Sequence, residues 1–169
     1  VEVVSMDFNL GLKPFWSEHY KNKCSFDEIS AYGEELFIHM QGLHKQGFEF
    51  PFVKDELPMY AERFGGDVIS MSIEEEALFL SRCNEEKVYD GLPEMLDLFA
   101  KKEIPMYVLS NSGFRADALR LMLDSHGIGK YFKKVWSSAD FGKVKPSADF
   151  FNMAIGEVLN QYPDATRED

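Results

Sequence analysis

The stretch 104–113 limits what this chain can fold into more than any other. An apolar run, Ile104 to Leu109, stops at Ser110-Asn111-Ser112 and Gly113. Apolar residues at helical spacing follow, through Leu119, Leu121, Met122 and Leu123. That order spells a strand, a tight polar turn and a helix. In an open α/β sheet, ligands sit in the crevice outside the carboxyl ends of the strands. Hydroxyls, amides and free backbone N–H groups at such a turn suit an anion, phosphate above all. Taken alone, the stretch also fits an ordinary β–α connection with Ser and Gly as turn formers.

The same grammar recurs on both sides. Residues 88–93 read as a loop, and the helix after it carries Pro93 in its first turn and Lys101 and Lys102 in its last, where cations meet the negative end of the dipole. Gly127 closes the helix that follows the central strand. Lys134-Val135-Trp136-Ser137-Ser138 reads as the next strand, then Gly142-Lys143-Val144-Lys145-Pro146 as a loop before a last helix at 148–159. At the start, residues 1–8 read as a short buried strand, with Asp7 where it leaves the sheet. Lys13-Pro14 is expected to break the chain there, because proline removes a donor and fixes φ. Strands alternating with helices mean βαβ units and a mostly parallel sheet.

Between Phe15 and about Cys83 the pattern is helical. Ser25 with Glu28, and Ser72 ahead of Glu74 and Glu75, are helix-opening caps. The first opens a helix with Ile29, Tyr32, Leu36, Phe37 and Met40 as its apolar face, ended by Gly42, Gly47 and Pro51. A short helix from Pro58 to Phe64 stops at Gly65-Gly66, and only 67–71 in this region reads as extended. The segment is a helical insertion between two strands of an α/β core. Its many aromatics read as core; the alternative is that Trp16, His19, Tyr20, Phe50 and Phe52 line a substrate pocket, since pockets favour aromatic walls.

Composition narrows the function classes. A net charge of −11 disfavours a nucleic-acid backbone or an acidic membrane surface as partner, though a local basic pocket can still hold an anion. No apolar run approaches the ~20 residues of a membrane span, and the opening Val-Glu-Val-Val reads as a strand rather than a secretory leader. Cys24 and Cys83 have no metal-ligand spacing and suggest a reducing, cytoplasmic setting.

Three chemically useful groups fall at carboxyl ends of predicted strands: Asp7, Ser110 and the loop holding Lys145, with Lys143 as a competing amine. In a parallel sheet those ends share one edge. A carboxylate can attack phosphorus, a hydroxyl and backbone N–H groups can hold phosphoryl oxygens, and a lysine can neutralise their charge.

The order and spacing of these groups resemble the haloacid dehalogenase (HAD) superfamily, in particular members with a helical cap between the first and second motifs. Tyr107-Val108-Leu109-Ser110-Asn111 is similar to the second motif, a hydrophobic strand ending in Ser or Thr. Gly142-Lys143-Val144-Lys145-Pro146, with Ser147 to Phe151, is similar to the third, a lysine before proline ahead of a helix. The resemblance implies a Rossmann-like parallel core from 1–14 and 88–169, with a cap at 15–87. It implies a magnesium-dependent phosphatase for a small phosphorylated metabolite, with Asp7 as nucleophile and metal ligand. Ser110 and Asn111 would hold the phosphoryl group, and Lys145 would stabilise it. A catalytically impaired binding module and a 2-haloacid dehalogenase are the alternatives. Two positions depart from the family pattern: Asn9 stands where the second aspartate of the first motif belongs, and Gly11 where its threonine belongs. The family's fourth motif, an acidic pair after another strand, has no counterpart ahead of Thr166-Arg167-Glu168-Asp169. A sheet cut short there is expected to expose unpaired backbone groups and to give association or marginal stability.

Overall fold

Residues 2–164 are described by a computed structural model. Val1 and the tail from residue 165, with its Thr166–Asp169 stretch, lie outside the described residues, as do the side chains of Glu2, Val3 and Val4. The chain is mixed α/β, with a small parallel sheet and many helices.

The first half is helical because its ends are capped and its inner faces are apolar. After strand β1 (Glu2–Met6), Asp7 caps helix α1 (Phe8–His19), its carboxylate accepting from the Asn9 N–H at 3.0 Å. Helix α2 (Phe26–Lys45) opens with the expected reciprocal box: Glu28 N–H donates to Ser25 Oγ at 3.2 Å, and Ser25 N–H donates to Glu28 Oε2 at 2.8 Å. Such a cap stabilises a helix by about 1 kcal/mol. A π turn (Phe52–Glu56) leads into α3 (Leu57–Phe64), which ends at Gly65 with φ of 77°, a left-handed value that glycine adopts without strain. Helix α4 (Ile73–Cys83) carries the second box, between Ser72 and Glu75.

Three local expectations fail here. α1 runs through Pro14 instead of breaking at Lys13-Pro14. Proline removes only the donor to the Leu10 carbonyl, and Leu10 is an exposed position; burial of Leu12 and Phe15 on the opposite face outweighs the loss. α2 passes the half-buried Gly42 and ends at Lys45, just ahead of Gly47, since a glycine inside a helix costs only about 1 kcal/mol. Residues 67–71 are not a strand.

The core of this half is aromatic. Phe52, 2% exposed, packs its ring against Phe8, Phe79 and Phe114 at centroid distances of 6.1, 4.5 and 5.3 Å. Tyr20, Phe50 and Phe52 are therefore core residues, the first of the two readings given to them. α1 crosses α4 at Gly11, where a Cβ would lie 2.4 Å from Cys83 Sγ and 3.0 Å from the Phe79 carbonyl oxygen. Only glycine fits a crossing that close.

That crossing also decides where β1 goes. The start of α1 meets the end of α4, and the Asp7 N–H donates to the Cys83 carbonyl at 2.8 Å. The strand entering α1 and the strand leaving α4, β2 (Asn84–Lys87), therefore run side by side in opposite directions, Met6 opposite Asn84 and Glu2 opposite Lys87. β1 was expected to be a buried strand of the parallel sheet. It is instead half of a separate antiparallel ladder, and Met6 is 63% exposed.

The parallel sheet is formed by β3 (Met106–Ser110) and β4 (Phe132–Ser137), in a register that sets Leu109 beside Trp136 and Ser110 beside Ser137. Alternation along the strands gives two faces. Val108 and Val135 face α5 (Leu92–Lys101) and α6 (Ala116–Ser125) through Leu96, Leu119 and Leu123. Tyr107, Leu109 and Trp136 face α8 (Ala148–Gln161) through Phe150 and Ala154. A short helix, α7 (Ser138–Phe141), follows β4. The carboxyl ends of β3 and β4 thus lie together, next to the loop 142–147.

Candidate functional site

The paired strand ends put Ser110, Asn111 and Ser112 against the Lys145 loop. The Lys145 ammonium donates to the Leu109 carbonyl at 2.8 Å. Its backbone N–H donates to Asn111 Oδ1 at 2.7 Å, and Asn111 Nδ2 donates back to the Lys145 carbonyl at 3.2 Å. Asn111 therefore works as a short ladder rung between the two loops. Ser110 Oγ has only a long contact, 3.5 Å to the Asn111 carbonyl, and so keeps its hydroxyl for an incoming group. The two competing lysines separate clearly: Lys143 Nζ lies 3.8 Å from the Phe48 ring centroid, whereas Lys145 points to the strand end.

Asp7 is placed differently. Its carboxylate is exposed and caps α1, and its strand belongs to the other ladder. Among the described residues no hydrogen bond or ion pair joins Asp7 to Ser110, Asn111 or Lys145. The expected convergence of three strand tips is thus present for two of them, because β1 does not pair with β3. Asn9 and Gly11, the two departures in the first motif, hold helices together. Asn9 Oδ1 accepts from Ser30 Oγ at 2.7 Å, tying α1 to α2, and Gly11 allows the crossing with α4.

Of the aromatic candidates for a pocket, Trp16 donates its indole N–H to the Cys24 carbonyl at 2.9 Å, His19 lies against Phe15, and Tyr20 is wholly buried. Two cavities lie beside the sheet, the first reaching the carboxyl end of β4 at Ser137. One, of about 520 Å³, is bounded by Arg115, Lys134, Trp136, Asp140 and Glu157; the other, of about 290 Å³, lies between α8 and the strands and is mostly apolar. Neither includes Ser110 or Lys145.

Two buried carboxylates brace the site, and sequence reading missed both. Glu76 pairs with the Arg115 guanidinium and accepts from the Arg115 N–H at 2.6 Å, while Arg115 Nη2 donates to the Met71 carbonyl at 2.8 Å. That guanidinium is committed to the join between α4 and α6. Glu49, with a side chain 0% exposed, shares hydrogen bonds with His44 Nε2 at 2.6 Å and with the Phe50 N–H at 2.9 Å, and accepts from Ser138 Oγ. A signal for Glu49 was available: it is a lone carboxylate between Phe48 and Phe50, and a charge in an aromatic run is either misplaced or paired.

Magnesium needs several hard oxygen ligands. No group of three or more His, Cys, Asp or Glu side chains among the described residues could hold a metal ion. The carboxamide of Asn9 is turned to α2, leaving Asp7 as the one first-motif carboxylate. The donor set among the described residues does not fit a magnesium site. No helix among the described residues is long and apolar enough to cross a membrane.

A family model described as haloacid dehalogenase-like hydrolase matches residues 68–163, more than half of the chain. The matched span contains Ser110, Asn111 and Lys145 and does not reach Asp7, Trp16, His19 or Tyr20. No curated protein matches the chain.

Proposed function

The chain belongs to the haloacid dehalogenase-like hydrolases, and from that premise we propose that it acts on phosphoryl groups, as a phosphohydrolase for a small phosphorylated metabolite in the cytoplasm. The observation that carries the reading is the Lys145 ammonium fixed at the end of β3, 2.8 Å from the carbonyl of Leu109, the residue before Ser110. A phosphoryl group at this edge meets one cation and one free hydroxyl. Both act on negative charge that grows during transfer, the kind of stabilisation that contributes most to catalysis. Asn111 is assigned to holding the two loops in register, a narrower task than binding phosphate directly. The helical half, residues 15–87, is the cap that excludes water and selects substrate.

In this reading Asp7 is carried over from the family as nucleophile, and its carboxylate must leave the α1 cap to reach the β3 edge. One of its oxygens bonds to phosphorus as the P–O bond to the leaving group breaks. The leaving group takes the electron pair, and water later releases phosphate from the carboxylate. Asn9 has no acidic proton to give the leaving oxygen. Turnover is therefore restricted to substrates whose leaving groups are stable as anions, such as acyl or aryl phosphates. The family's magnesium would supply charge neutralisation, but no step here is routed through it because the donor set is incomplete.

A second reading has its own support: Asp7 is engaged as a helix cap and Asn9 is bound to Ser30. It makes the chain a phosphate-binding module without turnover. Thermal melting with magnesium and beryllium fluoride, a phosphoryl mimic, separates the two. Stabilisation that disappears in Asp7→Asn supports the hydrolase. Stabilisation that survives Asp7→Asn but is lost in Lys145→Met supports the module. No stabilisation in any variant defeats both.

A further inference from the structure

The buried Glu49 belongs to the helical half, yet it bonds Ser138 just after β4 and, through it, is linked to the turn that follows β3. Ser138, at the start of α7, donates its hydroxyl proton to Glu49 Oε2. The same oxygen, Ser138 Oγ, accepts from the Ser112 N–H at 2.8 Å. A carboxylate is the stronger acceptor for that single hydroxyl proton, which turns the Ser138 lone pairs toward Ser112. The Ser112 carbonyl, 3.3 Å from Ser138 Oγ, is satisfied from elsewhere, by the Ala139 N–H at 3.1 Å, while the Ser137 hydroxyl donates to the closer Phe114 carbonyl at 2.6 Å. On its other side Glu49 is held by His44, in the last turn of α2, and by the Phe50 N–H. Main-chain bonds reinforce the join: Glu49 N–H to the Gly142 carbonyl at 3.1 Å, Val144 N–H to the Gly47 carbonyl at 3.1 Å, and Phe52 N–H to the Gly113 carbonyl at 2.8 Å. Gly113 is pressed against this segment, since a Cβ there would lie 3.2 Å from the Phe50 carbonyl oxygen.

We propose that Glu49 is a positioning residue for the phosphoryl site: through Ser138 and Ser112 it locks the 110–113 turn to the helical half, so that the site is in register only when that half is seated. The proposal rests on the phosphoryl reading given above. Glu49 touches neither Ser110 nor Lys145, so it acts on the geometry of the turn rather than on a reacting atom. A full negative charge suits this task better than a neutral amide, because it can accept from His44, Phe50 and Ser138 together, whereas an amide must donate on one side. Buried networks of this kind fix a single arrangement when every member is satisfied.

The test pairs steady-state kinetics on p-nitrophenyl phosphate with amide hydrogen exchange at Ser112, for Glu49→Ala, Glu49→Gln and Ser138→Ala. Glu49→Ala and Ser138→Ala are expected to lower kcat by about tenfold or more, the scale of a small misplacement of reacting groups, with KM within about twofold. Exchange at Ser112 is expected to speed up by about tenfold through local opening. Glu49→Gln, which keeps the shape and half of the acceptors, restores part of both. Should Glu49→Ala fail to fold, Ser138→Ala reports the same route while leaving Glu49 held by His44 and the Phe50 N–H. Unchanged Ser112 exchange in Ser138→Ala, or kcat within about twofold of wild type alongside faster exchange, overturns the proposal. If the wild-type chain hydrolyses no phosphomonoester, the phosphohydrolase reading is lost. The lock is then decided by Ser112 exchange alone, faster in Ser138→Ala if it exists and unmoved if it does not.

Discussion

The helical half and the β3–β4 edge are held by different forces. In the first, aromatic rings interlock around Phe52, helices approach closely at Gly11, and apolar side chains are withdrawn from water. In the second, the strands are only partly buried, and single polar bonds from Lys145, Asn111, Ser112, Ser137 and Ser138 fix the loops. Apolar burial is non-directional and contributes most of the stability. Polar straps are directional and contribute about 1 kcal/mol each. Apolar contacts and polar straps thus have different tasks, and variants of each kind should move different observables.

The largest stability effect belongs to the helical half. Phe52→Ala removes a ring that touches three others and is expected to cost about 3–5 kcal/mol in urea unfolding. Asn111→Ala at the strand edge should cost about 1 kcal/mol. Equal losses would erase the contrast between the halves.

Next comes Gly11→Val, which forces side-chain atoms into the Cys83 sulfur and the Phe79 carbonyl and should cost about 1–3 kcal/mol. Stability unchanged by this variant would mean that the crossing of α1 and α4 is looser than the structure describes.

A pH effect of comparable size per pH unit follows from Glu56, at the start of α3. Removal from water pushes its carboxyl up to about 8, only partly offset by the hydrogen bond from Tyr60 at 3.4 Å. The folded chain holds a proton on Glu56 that the unfolded chain releases above its ordinary value of 4.5. Raising the pH from there toward 8 therefore favours unfolding, by about 1.4 kcal/mol per pH unit at the steepest. The Glu56→Gln variant should lose most of this slope in urea titrations across that window. An identical slope in the variant would assign the effect to other groups.

The smallest effect concerns the two thiols, both free. Burial raises both, Cys83 to about 12, so Cys83 should resist thiol reagents until the chain unfolds while the part-exposed Cys24 reacts first. Early labelling of Cys83 in the native protein would show that the α1–α4 seam opens.

The contrast also explains what was legible in the sequence. Both capping boxes were visible because their bonds lie within four residues. The β3 strand, its polar turn and the Lys145 loop were visible because strand alternation and a lysine before proline leave local traces. β1 was misassigned because its partner, Asn84-Glu85-Glu86-Lys87, has no apolar residue to mark a strand. That strand exists because α4 delivers it beside β1. The helix through Pro14 depends likewise on burial of Leu12 and Phe15, which no local rule contains. Sequence alone could not choose between Lys143 and Lys145. The choice rests on whether Phe48 or Leu109 lies beside each amine. Glu49 and Glu76 were missed because their partners are distant in the chain.

The central claim is that the end of β3 and the Lys145 amine form a phosphoryl site. The most direct test is binding of inorganic phosphate, followed by NMR at the Ser110–Gly113 amides, in the wild type, Lys145→Met and Lys143→Met. Loss of a positioned charge contact should weaken binding by about tenfold or more in Lys145→Met. Lys143→Met, whose amine lies on the Phe48 ring, should stay within about threefold of wild type. Equal affinity in wild type and Lys145→Met, or phosphate-induced shifts confined to residues away from this turn, would contradict the account.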